Sequence, residues 1–203
     1  MKKYIEMILR KIGVSMLALL IVMTTYFSNS GGSLFLKTKK VQADTGETTL
    51  AMSQAMSSNK IPAIGRAASE GLWAMTAGGH RVFCLNSGKT MCSGDTLKYK
   101  TVNAATYEKK GIAKALQWYF MKSNKNTKAL ALTQAYIWAC GHGANKQNTV
   151  YQAGKNVQKG YSQSDAKKFC ETISDQDPEG TIYYYTVKKC VKKKKLDLSL
   201  IHI

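Results

Sequence analysis

The chain has 203 residues, 44% hydrophobic and 21% charged, the composition of a folded protein and enough chain for one domain of moderate size, not a multidomain enzyme. With 2 Pro, 16 Gly, no G-X-Y period and no long acidic or Ser-rich block, collagen-like and wholly disordered chains are excluded. The formal charge of +18, from 30 Lys+Arg against 12 Asp+Glu, raises nucleic acid or anionic membrane as partners, but its location along the chain argues otherwise.

Residues 1–43 read as a secretory signal peptide. A basic start, MKKYIEMILRKIG, precedes the uncharged apolar run Val14 to Phe27, and a polar stretch ends in Val41-Gln42-Ala43, where small residues suit an A-x-A-like site. The run is short for a bilayer crossing of about 20 residues, so cleavage after Ala43 is expected over an uncleaved membrane anchor. Either reading places the rest of the chain outside the cell, with membrane contact only through this segment. Removing residues 1–43 lowers the charge from +18 to +12, and setting aside 188–203 leaves about +7 for the body. No aromatic residue interleaves Lys192 to Lys195 and no nucleic-acid motif appears, so the lysine run reads as a solvated spacer and nucleic acid is not expected as a partner.

Residues 44–69 are small and polar without clear period and read as an exposed N-terminal lead-in. From Glu70, short apolar runs are broken by Gly-Gly, Ser-Gly-Lys and Ser-Gly-Asp, the chemistry of strands and turns. His80 to Leu85 reads as a strand with Cys84 near its end and Asn86-Ser87-Gly88 as the following turn. Within Thr106 to Phe120, Ile112, Ala115, Leu116 and Tyr119 fall at i, i+3, i+4 and i+7, predicting an amphipathic helix. Thr127 is a cap for Lys128 to Cys140, apolar nearly all round and stopped by Gly141-His142-Gly143; such a helix is expected to be buried. Ser164 to Ile173 reads as a shorter helix, and Thr181 to Val187 as a strand rich in tyrosine. Strands, then helices, then a strand predict an α+β fold.

The last six residues, Leu198 to Ile203, resemble the frame translation of a sequencing-library adaptor. Residues 192–203 are therefore read as the start of a lysine-rich linker and a non-native tail outside the folded domain, taken as residues 70–191. On this reading the chain is an N-terminal fragment, with any stalk or anchor lying downstream.

Five cysteines, at 84, 92, 140, 170 and 190, are an odd number for a secreted chain, in which thiols are expected to pair. No zinc-type spacing occurs, so no metal site is expected. Gln134 lies in the middle of the apolar helix with Leu130, Ala131, Ile137 and Trp138 one turn away. A carboxamide there needs partners, since each unsatisfied group costs about 1–3 kcal/mol. One reading is a glutamine bonded to the backbone of an adjacent strand; the other is a carbonyl carbon that is an electrophile for a nearby thiolate.

The motifs Phe83-Cys84-Leu85 and Leu132-Thr133-Gln134-Ala135-Tyr136-Ile137-Trp138 together resemble the thioester domains of Gram-positive surface adhesins. Trp73, the Ser-Gly-Asp turn at 93–95 and Ala-Leu-Gln-Trp-Tyr at 115–119 agree with that family in order, over roughly residues 70–190. The resemblance implies a β-barrel or sandwich-like part and a helical part with an internal thioester between Cys84 and Gln134 lying between them. It implies a secreted, cell-surface adhesin without cofactor, cell-wall anchored through its missing C-terminus. Its partner is an amine-bearing surface protein of a host or neighbouring cell, coupled through a lysine by an isopeptide bond. Such a protein reacts once and is not a turnover enzyme.

With Cys84 so used, Cys92, Cys140, Cys170 and Cys190 form an even set with three disulfide connectivities, none of them selected by the sequence. Cys92 is a competing nucleophile, and His142, just past the reactive helix, is a candidate proton-transfer helper or simply a histidine at the negative end of a helix dipole. Two alternatives stand beside the adhesin. One is a disulfide-stapled non-covalent binding module, and the other is a secreted cysteine peptidase or acyltransferase using Cys84 with His142 or His80.

Overall fold

The computed structural model describes residues 45–62, 69–87, 92–191 and 199–202. The signal segment, its cleavage site and Lys192 to Lys195 lie outside the described residues. The fold is α+β. Among the described residues, six antiparallel strands, β1 (Thr45–Pro62), β2 (Ser69–Ala77), β3 (His80–Cys84), β4 (Thr96–Asn103), β5 (Thr181–Lys189) and β6 (Ser199–His202), close a barrel in the order β1-β2-β3-β6-β5-β4. Four helices, α1 (Lys110–Met121), α2 (Thr127–His142), α3 (Lys146–Val157) and α4 (Gln163–Ser174), are inserted between β4 and β5.

Hairpin chemistry sets the first half of the barrel. Gly78 and Gly79 both take positive φ, 58° and 82°, between the paired residues Ala77 and His80. That is the two-residue turn whose twist matches antiparallel strands, and it favours glycine at both positions. On the far side, β4 and β5 pair from Asn103↔Thr181 to Thr96↔Lys189, and Tyr99 lies 5.8 Å from the rings of both Tyr183 and Tyr185.

Two segments differ from the sequence reading. Residues 45–62 are not a lead-in: they form β1, pairing with β4 through its first residues and with β2 through the rest. From Thr45 to Ser53 exposed residues alternate with covered ones, Gly46, Thr48, Leu50 and Met52, a period of two that small and polar residues disguise. The second correction concerns the C-terminal tail. Ser199–His202 is not outside the fold but is strand β6, with Leu200 opposite Cys84 and Tyr185, and Ile201 opposite Phe83 and Tyr184. Leu200 and Ile201 are both fully buried, so this strand supplies apolar surface and backbone pairing to both neighbours.

The helices follow their apolar spacing. Ile112, Ala115, Leu116 and Tyr119 of α1 are buried, and Tyr119 and Phe120 set their ring edges against Phe83 of β3. Every residue of α2 from Ala129 to Ala139 is buried. Its cap is Asn126, not Thr127, because the Asn126 side chain accepts from Ala129 N–H at 2.8 Å, and Gly143 ends it in the left-handed region at φ 66°. Likewise α4 begins from Ser162, two residues before the expected start, because Ser162 and Asp165 form a reciprocal capping box. Helix α3 was not expected. Its sequence is mostly polar, and only Val150, Ala153 and Gly154 are buried, with Asn145 accepting from Asn148 N–H at 2.9 Å.

Candidate functional site

The site lies where the end of β3 meets the middle of α2. Cys84 is the last residue of β3 and Gln134 is halfway along α2, and each is 4% exposed. Cys84 N–H donates to Gln134 Oε1 at 3.0 Å, and Gln134 Nε2 donates to the Cys84 carbonyl at 2.7 Å. The carboxamide is thus held between the two main-chain groups of the residue that carries the thiol. The Cys84 thiol donates to the Asn86 carbonyl at 3.0 Å.

A tight loop follows. Leu85 N–H donates to the Ser199 carbonyl, Ser199 N–H donates to Asn86 Oδ1, and Ser87 N–H donates to Nε2 of His142 at 3.2 Å. His142, the last residue of α2, therefore anchors the loop after Cys84. An ideal Cβ built on Gly141 would stand 3.3 Å from the Leu85 carbonyl oxygen, so a glycine lets this loop press against the helix end. Phe83, next to Cys84, and Ile137 and Trp138, one turn beyond Gln134 on α2, are buried. Thr133 Oγ1 and Trp138 Nε1, on the same helix as Gln134, are buried with no hydrogen-bond partner among the described residues, an arrangement that costs free energy in the resting fold.

The other cysteines sit elsewhere. Cys92 opens the turn into β4, where its N–H donates to Asp95 Oδ2 at 3.1 Å, and Cys190 follows β5. Cys140 is on α2 and Cys170 on α4. Of Cys84 and Cys92, it is Cys84 that the fold brings to Gln134. His80 stacks near His202, with ring centroids 4.9 Å apart. Among the described residues no group of three or more His, Cys, Asp or Glu is placed to hold a metal ion.

Sequence reasoning reached the two side chains but not the group between them. A backbone N–H leaves no mark in a sequence, and that of Cys84 already points at the carbonyl oxygen of Gln134. A second omission is Asn86, whose main chain takes the thiol proton donor and whose side chain holds β6. The arrangement is a buried pairing of a thiol residue with a carboxamide where the end of β3 meets α2. No protein-family model and no curated protein matches the chain.

Proposed function

We propose that the protein is a secreted surface adhesin module that forms an internal Cys84–Gln134 thioester and then couples covalently to lysine amines on a host or neighbouring surface protein. The observation that carries this reading is the double hydrogen bond between the Gln134 carboxamide and the Cys84 main chain, which supports a short path between thiol and carbonyl carbon. In the first step the sulfur attacks Cδ of Gln134 as thiolate, the nucleophilic form. The Sγ–Cδ bond forms, the Cδ–Nε2 bond breaks, and the thiol proton leaves with the amide nitrogen as ammonia. Charge developing on Oε1 falls on the Cys84 N–H, a donor already in place, and proximity replaces an encounter in solution.

In the second step a lysine amine attacks the same carbon. The N–Cδ bond forms, Cδ–Sγ breaks and the amine proton passes to the departing sulfur, leaving an isopeptide at Gln134 and a thiol at Cys84. Burial of both residues, each 4% exposed, slows hydrolysis by excluding water. The reaction consumes the site, so the module binds once and does not turn over.

One observation favours a second reading. Both polar ends of the Gln134 carboxamide have main-chain partners on β3, and that also suits a structural glutamine in a disulfide-stapled, non-covalent binding module. Intact mass of residues 44–203, a span that retains β6, separates the two. The adhesin reading expects a mass one ammonia below the disulfide-corrected value, an adduct with methylamine at Gln134, and loss of both in Cys84→Ala and Gln134→Ala. A full-mass protein inert to methylamine overturns it in favour of the non-covalent module.

A further inference from the structure

Four cysteines lie outside the Cys84–Gln134 pair, and they fall into two places. The first is the end of the barrel where β4 begins and β5 finishes. Thr96 pairs with Lys189, so Cys190 is the next residue along one strand, while Cys92 opens the turn Cys92-Ser93-Gly94-Asp95 that feeds the other. Asp95 is fully buried and holds both sides. Its Oδ2 accepts from Cys92 N–H at 3.1 Å and its Oδ1 from Val191 N–H at 3.0 Å, so one carboxylate spans the two cysteine segments. A Cβ on Gly94 would stand 3.4 Å from Val191 Cγ1, which puts the turn against the chain just after Cys190.

The second place is between α2 and α4. Tyr136, one turn before Cys140, packs its ring 6.5 Å from that of Phe169, and the Ser174 hydroxyl donates to the Cys170 carbonyl at 2.9 Å. Phe169 immediately precedes Cys170, and Ser174 lies one turn beyond it, so the same tyrosine touches both thiol neighbourhoods. Burial raises both thiols, Cys170 to about 11, and the charge of Cys140 adds to the rise at Cys170 while Lys146 opposes it at both.

We propose that the exported protein carries two disulfides, Cys92–Cys190 and Cys140–Cys170, and that Cys84 belongs to neither. For each bridge two S–H bonds break and one S–S bond forms. Two protons and two electrons pass to a disulfide-bearing oxidant, an oxidised thiol–disulfide oxidoreductase in the producing cell or oxidised glutathione in vitro, which is reduced to thiols. All four cysteines are partly exposed, within reach of such a partner. The first bridge joins the turn before β4 to the residue after β5, at the end of that strand pair away from the helical insertion. The second ties α2, the helix bearing Gln134, to α4. Thiolate is the attacking species, so the raised thiols of Cys140 and Cys170 make theirs the slower bridge to form.

The test is peptide mapping without reduction of the full chain, exported to an oxidising compartment or equilibrated with a glutathione redox couple, then blocked with N-ethylmaleimide. The expected result is a Cys92–Cys190 peptide pair and a Cys140–Cys170 pair, with a mass loss of two hydrogens for each. Cys92→Ser frees Cys190 alone for labelling and leaves Cys140–Cys170 intact, and Cys140→Ser does the converse for Cys170. A bridge containing Cys84, a bridge joining either barrel cysteine to either helix cysteine, or full labelling of the four after oxidation overturns the assignment. The outcome is independent of whether Cys84 and Gln134 form a thioester, which the methylamine experiment reads separately.

Discussion

Gln134 lies 50 residues beyond Cys84 in the chain, yet it closes a two-bond ring with that residue's main chain, accepting from its N–H at 3.0 Å and donating to its carbonyl at 2.7 Å. A side chain thereby does for β3 what a neighbouring strand does elsewhere in the barrel. It satisfies two buried backbone groups and fixes the depth at which α2 sits against the strand.

Replacing Gln134 by Ala removes both partners at once. Each orphaned buried group costs about 1–3 kcal/mol, so Gln134→Ala is expected to lose roughly 2–6 kcal/mol in urea unfolding. In the chain whose thiol and carboxamide have not reacted, Cys84→Ala keeps both main-chain groups and removes one small buried side chain, with an expected loss near 1 kcal/mol. Equal losses in the two variants would mark a Cys84–Gln134 bond that each removes, and the reverse order would contradict a structural role for the carboxamide.

How much of this was legible in the sequence depended on what kind of residue carried each signal. Helix α2 announced itself as apolar on every face, and the α1 spacing named its buried residues. The β2–β3 hairpin was marked by Gly78-Gly79. Strand β1 was not, because its inward positions include Gly46 and Thr48, so a true period of two held no hydrophobic contrast. Helix α3 was missed because burying only Val150, Ala153 and Gly154 needs little apolar surface in a mostly polar segment. The tail 199–202 reads as foreign by its resemblance, although Leu200 and Ile201 have the hydrophobicity of a core strand. At the site, the types Cys84 and Gln134 were readable, whereas the donor between them is a backbone group common to every residue but proline.

Gly141 offers a second test, because two effects oppose there. Helix propensity favours Ala over Gly by about 1 kcal/mol, while a Cβ would stand 3.3 Å from the Leu85 carbonyl oxygen and needs a small retreat of the loop. Gly141→Ala is expected to be near neutral in thermal unfolding. Gly141→Val drives further methyl groups toward the segment from Leu85 to Ser87 and is expected to cost about 1–3 kcal/mol. Because that segment also accepts the Cys84 thiol at Asn86, labelling of Cys84 by a thiol reagent, after methylamine has opened any thioester, should become faster in the valine variant. Unchanged labelling would mean that the loop does not screen the sulfur.

Strand β6 makes an equally direct prediction. Truncation after Lys195 leaves the facing edges of β3 and β5 without the partner they share and uncovers the surface that Leu200 and Ile201 bury. A single Leu200→Ala is expected to cost about 2–5 kcal/mol, and truncation at least as much, seen as a lower Tm and, through the lost Leu85–Ser199 and Asn86–Ser199 bonds, as faster labelling of Cys84. A truncated chain with the Tm of the full one would return residues 196–203 to a place outside the folding unit.

The same strand makes stability depend on pH. His202 is pushed down from 6.5 to about 4, first by burial and then by the nearby His80, with a backbone hydrogen bond to Arg81 acting the other way. Its ring is enclosed by His80, by the edge of Phe120 at 4.7 Å and by Tyr183 at 5.8 Å. The folded chain therefore refuses a proton that the unfolded chain accepts. This contribution to stability is whole above about pH 6.5, declines as the pH falls below that value, and is exhausted near pH 4, where folded His202 also protonates. One such group changes stability by no more than about 1.4 kcal/mol per pH unit. His202→Phe keeps an aromatic ring against Phe120 and removes the titration. Urea midpoints measured from pH 7 to pH 4.5 should fall more steeply for the native sequence than for His202→Phe. Parallel curves would show that His202 takes up its proton in the folded and unfolded chains alike, and hence that β6 does not hold it buried.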